Sequence, residues 1–149
     1  MWKAKLLGDR TLPEPLRAVD ANVLIRYLLK DVPGQWEKAE RLIDSTTPLG
    51  LTAVALAETA WILAGPRYKR GRDQVATALI DLLARDNILA IGFDKVEAQM
   101  GLAACASERG SAHFGDALIA ACARSAGIGE IYSFDQDFAR AGLTPVPPP

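Results

Sequence analysis

Residues 16–29 run from a short buried strand through Asp20 into an apolar helix, and no other stretch constrains the fold as strongly. Further short apolar strands are predicted at 46–52, 87–93 and 130–134, with helical patterns between and after them. Strands that alternate with helices are joined by right-handed crossovers, so the sheet is parallel and covered on both faces. The pattern therefore predicts an α/β fold with three layers.

The length of 149 residues fits one domain that can bury a core without disulfides or metals. Two closely spaced prolines predict an extended arm over 1–15, followed by a single domain over 16–149. Apolar runs stay below the ~18 residues of a membrane span. Residues 1–10 lack the apolar segment of a secretory signal, so we expect a cytoplasmic protein. Cys105 and Cys122 have no CxxC spacing, and we expect both to be buried core residues.

Four acidic side chains occupy positions where ordinary surface acids are not expected. Asp20 and Asp135 each follow a predicted strand, and Asp116 opens a helix that is otherwise nearly all apolar. Glu58 lies in the middle of a helix whose neighbouring residues one turn away are apolar, so it interrupts a surface that would otherwise be core. An all-oxygen cluster of these acids would suit a hard divalent cation such as Mg²⁺ or Mn²⁺.

Other interpretations of the same acids remain open. Each of the three Asp residues is of a type that commonly caps a helix. Glu58 could instead form a buried ion pair with Arg17 or Arg26. His113 is the only histidine, and we expect an ordinary loop position for it rather than a role in proton transfer.

A basic segment follows the helix that contains Glu58. The net charge of −1 gives no overall attraction to nucleic acid, so contact with RNA would need a local patch. This segment could supply such a patch, because it contains four cations and one aromatic ring: Arg67, Tyr68, Lys69, Arg70 and Arg72. We expect this segment to bind RNA phosphates and to stack on a base, although a solvated connection between helices has the same composition.

Four motifs, in this order, make the chain similar to the PIN-domain ribonucleases, and in particular to the VapC-type toxins of toxin–antitoxin pairs. They are VDANVL at 19–24, AETAWIL at 57–63, GDALIAA at 115–121 and YSFDQDF at 132–138. The resemblance extends from about residue 17 to residue 146. Two features depart from the family pattern: the arm before Asp20 is long, and Ser133 stands where Thr is usual.

The resemblance implies an α/β/α sandwich with a four- or five-stranded parallel sheet. It implies that Asp20, Glu58, Asp116 and Asp135 surround Mg²⁺ or Mn²⁺, with Asp137 as an additional acid. Asn22 and Ser133 match positions that steady the site by hydrogen bonding. The implied activity is metal-assisted hydrolysis of RNA phosphodiester bonds. The implied partners are an RNA substrate, a cognate antitoxin and a second copy of the chain, without a membrane.

Three alternatives fit the same length and fold class. A phosphoryl-transfer enzyme with an aspartyl nucleophile also places Asp at the end of its first strand, but its second acid would stand where this chain has Asn22. A phosphate-receiving signalling domain would have adjacent acids near the N-terminus and a lysine late in the chain. A binding module could retain the acids without catalysis. Cleavage of RNA would exclude all three.

Overall fold

The computed structural model describes residues 12–13, 15–106 and 113–149, so nearly all of the predicted arm over 1–15 lies outside the described residues. Within them are six α-helices and five β-strands. The strands are β1 (Arg17–Ala18), β2 (Leu49–Thr52), β3 (Ile88–Ile91), β4 (Glu130–Tyr132) and β5 (Thr144–Val146). The helices are α1 (Ala21–Leu29), α2 (Gln35–Ile43), α3 (Ala53–Ala64), α4 (Arg72–Leu83), α5 (Lys95–Cys105) and α6 (Phe114–Ser125). A 3₁₀ helix covers Gln136–Ala139.

All paired strands are parallel, which confirms the predicted α/β class, and the five strands are grouped in two sheets. The strands form a three-stranded sheet in the order β1-β2-β3 and a separate two-stranded sheet of β4 and β5. β1 is an edge strand that pairs with β2 alone. Its residues, Arg17 and Ala18, are exposed, so the buried strand expected before Asp20 is not observed.

Side-chain caps begin three of the helices at or soon after strand ends. The Asp20 carboxylate accepts a hydrogen bond of 3.0 Å from the Val23 amide. The Thr52 hydroxyl accepts one of 3.2 Å from the Ala55 amide at the start of α3. Asp94 caps α5 in the same way. Such caps satisfy amides that the first helical turn leaves without partners, and they fix where each helix leaves the sheet.

Two hydrophobic clusters hold the described residues together. The larger one joins β2 and β3 to the first five helices and to part of α6, around fully buried side chains such as Leu24, Leu51 and Leu56. The smaller one packs Phe138 and Leu143, near β5, against the other face of α6 and the end of α5. Helix α6 is therefore the main connection between the two sheets.

Gly101 allows α5 and α6 to pack closely. A Cβ atom at this position would lie 3.2 Å from the carbonyl oxygen of Ala117, which is tighter than ordinary packing. Ala117 directly follows Asp116, so the close approach of the two backbones determines where Asp116 lies. No helix among the described residues has the length and apolar character needed to cross a membrane.

Candidate active site

Asp20 and Asn22 stand at the start of α1. Both are exposed, and Asp20 uses one carboxylate oxygen to cap the helix. The capping interpretation is therefore correct for Asp20. It does not exclude a second role, because a carboxylate that accepts one amide hydrogen bond keeps further lone pairs for a cation.

Glu58 does not interrupt the core, contrary to the prediction, because α3 leaves the side that carries Glu58 in solvent. The residues on either side of it along the helix, Val54 and Trp61, are each 76% exposed, and Glu58 itself is exposed. The alternative of a buried ion pair with Arg17 or Arg26 does not apply, because Glu58 is exposed and Arg26 pairs with Asp31 at 2.9 Å. A helix that is apolar in composition can still leave one apolar stripe in solvent.

Asp116 lies half-buried in the first turn of α6. His113 is the N-cap residue of that helix, so the capping interpretation is wrong for Asp116. The Nη2 atom of Arg72 lies 3.2 Å from Nδ1 of His113, which brings the first residue of α4 to the start of α6. Arg72 therefore lies at the N-terminal end of the helix that carries Asp116.

Cys105 is buried where α5 ends. Burial raises the pKa of the Cys105 thiol to about 11; the Arg72 guanidinium opposes that increase and the Asp116 carboxylate adds to it. The thiol is therefore protonated at neutral pH, and a protonated thiol is a poor nucleophile. Burial likewise raises the pKa of the half-buried Cys122. The prediction that these cysteines belong to the core is confirmed for Cys105.

Asp135 follows β4 in a turn that its own neighbours stabilise. The Ser133 hydroxyl accepts a hydrogen bond of 2.9 Å from the Asp135 amide, and the Asp135 carboxylate accepts one of 2.8 Å from the Asp137 amide. Asp135 thus caps the 3₁₀ helix, and Asp137 lies 3.6 Å from Arg140. Ser133 thus stabilises the turn that carries Asp135, and its role in a metal site stays a prediction.

The predicted metal ligands lie on separate elements, and the structure does not gather three of them into one cluster. Across 12–13, 15–106 and 113–149, no three acidic, histidine or cysteine side chains lie close enough together to hold a metal ion. Asp20 follows β1 and Asp135 follows β4, and these strands belong to different sheets. The donor set nevertheless suits Mg²⁺ or Mn²⁺, because all of the predicted ligands are carboxylates.

The basic segment between α3 and α4 is hydrogen-bonded rather than a flexible loop. The Lys69 amide donates to the Gly65 carbonyl at 2.8 Å, and the Arg70 amide donates to the Leu63 carbonyl at 2.9 Å. The Tyr68 hydroxyl accepts a hydrogen bond of 3.1 Å from Arg26, and the Arg67 guanidinium lies 5.2 Å from the centre of the Tyr68 ring. These contacts leave the Tyr68 ring less available to a base than the sequence indicates.

A cleft of about 310 Å³ opens beside Asp20 between α1 and α2. We refer to it as the α1–α2 cleft. The side chains that line it are those of Asp20, Asn22, Val23, Arg26, Gln35, Lys38, Ala39 and Leu42. Sequence reasoning did not find Gln35 and Lys38, because both occupy the polar face of an ordinary amphipathic helix. Only the packing of α2 on α1 brings them near Asp20.

The sequence profile of the PIN domain matches residues 17–143, which include all of the acids discussed above. No curated protein and no solved structure was found to match the chain.

Proposed function

The chain belongs to the PIN domain family, and we propose that it is a ribonuclease that hydrolyses internal phosphodiester bonds of RNA with the help of Mg²⁺ or Mn²⁺. PIN domains are generally metal-dependent nucleases. The observation that carries the proposal is that Asp20, Glu58, Asp116 and Asp135 all lie within the matched residues. We place this activity in the cytoplasm.

In this proposal the four carboxylates hold the cation and Asp137 is an additional acid. A divalent cation in such a site supplies positive charge that lowers the pKa of water and neutralises charge developing on the phosphoryl oxygens. Asp20 and Asp135 each have one oxygen directed to a backbone amide, which restrains their side chains. The Ser133 hydroxyl supports Asp135 by accepting a hydrogen bond from the Asp135 amide. Asn22 follows Asp20 within the first turn of α1.

RNA cleavage tests the proposal directly. The purified protein is incubated with a pool of structured RNAs, with Mg²⁺, with Mn²⁺ or with a chelator, and the new ends are mapped by sequencing. We expect discrete internal cuts that require the cation. A contaminating nuclease would cut equally in a parallel preparation of Asp116→Asn. A covalent phospho-aspartate on Asp20, without RNA cleavage, would instead support a phosphoryl-transfer enzyme.

We expect the basic segment to bind RNA through phosphate contacts. Arg67, Lys69 and Arg70 are exposed and make no ion pair with other described residues. Replacing all three by Ala should weaken binding to single-stranded RNA and lower the salt slope by about 2, since each phosphate contact contributes roughly 0.7. Binding is measured by fluorescence anisotropy across a salt series.

The control for this triple variant is Arg41→Ala, which removes an exposed cation from α2. It should leave the salt slope nearly unchanged. A triple variant whose slope equals that of the wild type would show that the basic segment only connects two helices. The cleavage positions and the metal requirement should be the same in all of these proteins.

We further propose that the chain is the toxin of a toxin–antitoxin pair and forms a homodimer. The exposed apolar residues Val54 and Trp61 flank Glu58 on α3, and Val96 and Met100 form a second exposed stripe on α5. Partner proteins cover apolar surfaces of this kind. An antitoxin seated on α3 would also cover Glu58 and so would block the site.

Co-expression with the product of the adjacent gene should give a stable complex that no longer cuts RNA, and Trp61→Arg should prevent that complex. A monomer in light scattering would contradict the homodimer. Full nuclease activity of the co-expressed pair would contradict the antitoxin. Thr77→Arg, which adds the same charge at an exposed position on α4, is the control for a general charge effect.

A further inference from the structure

We propose that the α1–α2 cleft binds one nucleotide of a single-stranded RNA substrate, beside the phosphodiester bond that is cleaved near Asp20. This inference rests on the proposed ribonuclease function and adds to it a site that binds one base of the RNA substrate. Asp20 is itself part of the cleft wall, so a nucleotide bound there is adjacent to the proposed metal site.

The size and floor of the cleft suit a single base. Its volume of about 310 Å³ is at the small end of the range of roughly 300–1,000 Å³ that is usual for small-molecule sites. Val23, Ala39 and Leu42 supply apolar surface against which the face of a base can pack. Bases that are paired within a duplex cannot enter, whereas unpaired bases can be turned outward into such a pocket.

Two amide side chains can read the edge of that base. Asn22 and Gln35 both line the cleft, both are exposed, and neither side chain hydrogen-bonds to another described residue. Each amide offers donors and an acceptor, which is the combination that an exposed base edge requires. They lie on different helices, so they can contact different atoms of one base.

Lys38 supplies the positive charge for the neighbouring phosphate. Arg26, the other cation in the cleft, is already neutralised by Asp31 at 2.9 Å and bonded to Tyr68. Lys38 is exposed and has no ion pair within the described part of the chain. Arg41 is another exposed cation, three residues further along α2. It does not line the cleft, which makes it the matched control.

The test uses the four nucleoside 5′-monophosphates as probes, without added metal, so that binding is separated from cleavage. We expect the side-chain amide resonances of Asn22 and Gln35 to shift on titration of the full chain. Lys38→Ala should weaken the binding about tenfold, as expected for loss of a charge-assisted hydrogen bond. Gln35→Ala should change the relative affinities of the four bases, and Arg41→Ala should bind as the wild type does.

The outcomes separate this inference from the ribonuclease proposal. One outcome is that the wild type cuts RNA while nucleotides leave both amide resonances unshifted and Lys38→Ala binds nucleotides as Arg41→Ala does. In that case the cleft is not a nucleotide site, and the ribonuclease proposal stands. If nucleotides bind in the cleft but no RNA is cut under any condition, the ribonuclease proposal is wrong and the nucleotide site stands. If nucleotides do not bind in the cleft and a co-expressed protein covers it, the cleft is a protein-binding site instead.

Discussion

Asp20→Asn, Glu58→Gln and Asp116→Asn are each expected to abolish metal-dependent RNA cleavage. Each change removes one negative charge from the proposed cation site while keeping the shape of the side chain. Metal ions contribute several kcal/mol of charge stabilisation in the transition state, so the expected loss is roughly a thousandfold, or about 4 kcal/mol. Cleavage of a fluorescent RNA under single-turnover conditions measures it.

The structure makes the Asp20 variant especially informative. Asp20 caps α1, and Asn caps a helix about as well as Asp, so Asp20→Asn should keep the fold and lose the activity. Asp81→Asn, an exposed acid on α4, is the control and should remain fully active. A second measurement is independent of catalysis: Mn²⁺ should raise the melting temperature of the wild type but not of Asp116→Asn. Wild-type activity in all three variants would rule out a shared site.

Leu56→Ala is expected to lower the free energy of unfolding by about 2–5 kcal/mol, because it opens a cavity in the main hydrophobic cluster. Leu56 lies on α3 and is 0% exposed. Val54→Ala, two residues earlier on the same helix, should change the stability by less than about 0.5 kcal/mol, because Val54 is 76% exposed. Urea denaturation of both variants measures the difference.

This pair of variants tests which face of α3 meets the core, and so whether Glu58 is presented to solvent. Equal destabilisation by the two changes would mean that Glu58 does interrupt a core surface, as the sequence alone predicts. It would also remove the exposed stripe on which the proposed antitoxin contact depends.

The helices and the parallel strands could be predicted from sequence because their signals are local. Asp20, Thr52 and Asp94 each satisfy amides within three residues of themselves, and each follows or ends an apolar run. The PIN family match confirms the fold class that these signals indicate.

The exposure of α3 and the role of Tyr68 could not be predicted, because neither is determined locally. Composition gives no reason for Trp61 to be 76% exposed, since that depends on which neighbours reach α3. Tyr68 meets Arg26 across 42 residues of chain, and no periodic pattern records such a contact. The separation of β4 from β1 is of the same kind, because strand pairing depends on the packing of whole layers.

The two hydrophobic clusters also differ in how much free energy is needed to open the part of the fold that each one holds together. The smaller cluster contains six buried residues against nineteen in the larger one, so β4, β5 and the 3₁₀ helix should open at a lower free energy than the rest of the described chain. Backbone amides there, such as that of Thr144, should exchange with deuterium before the amide of Leu49 does. Asp135 belongs to the part that opens first, so the proposed nuclease activity should be lost on warming several degrees before the main core melts.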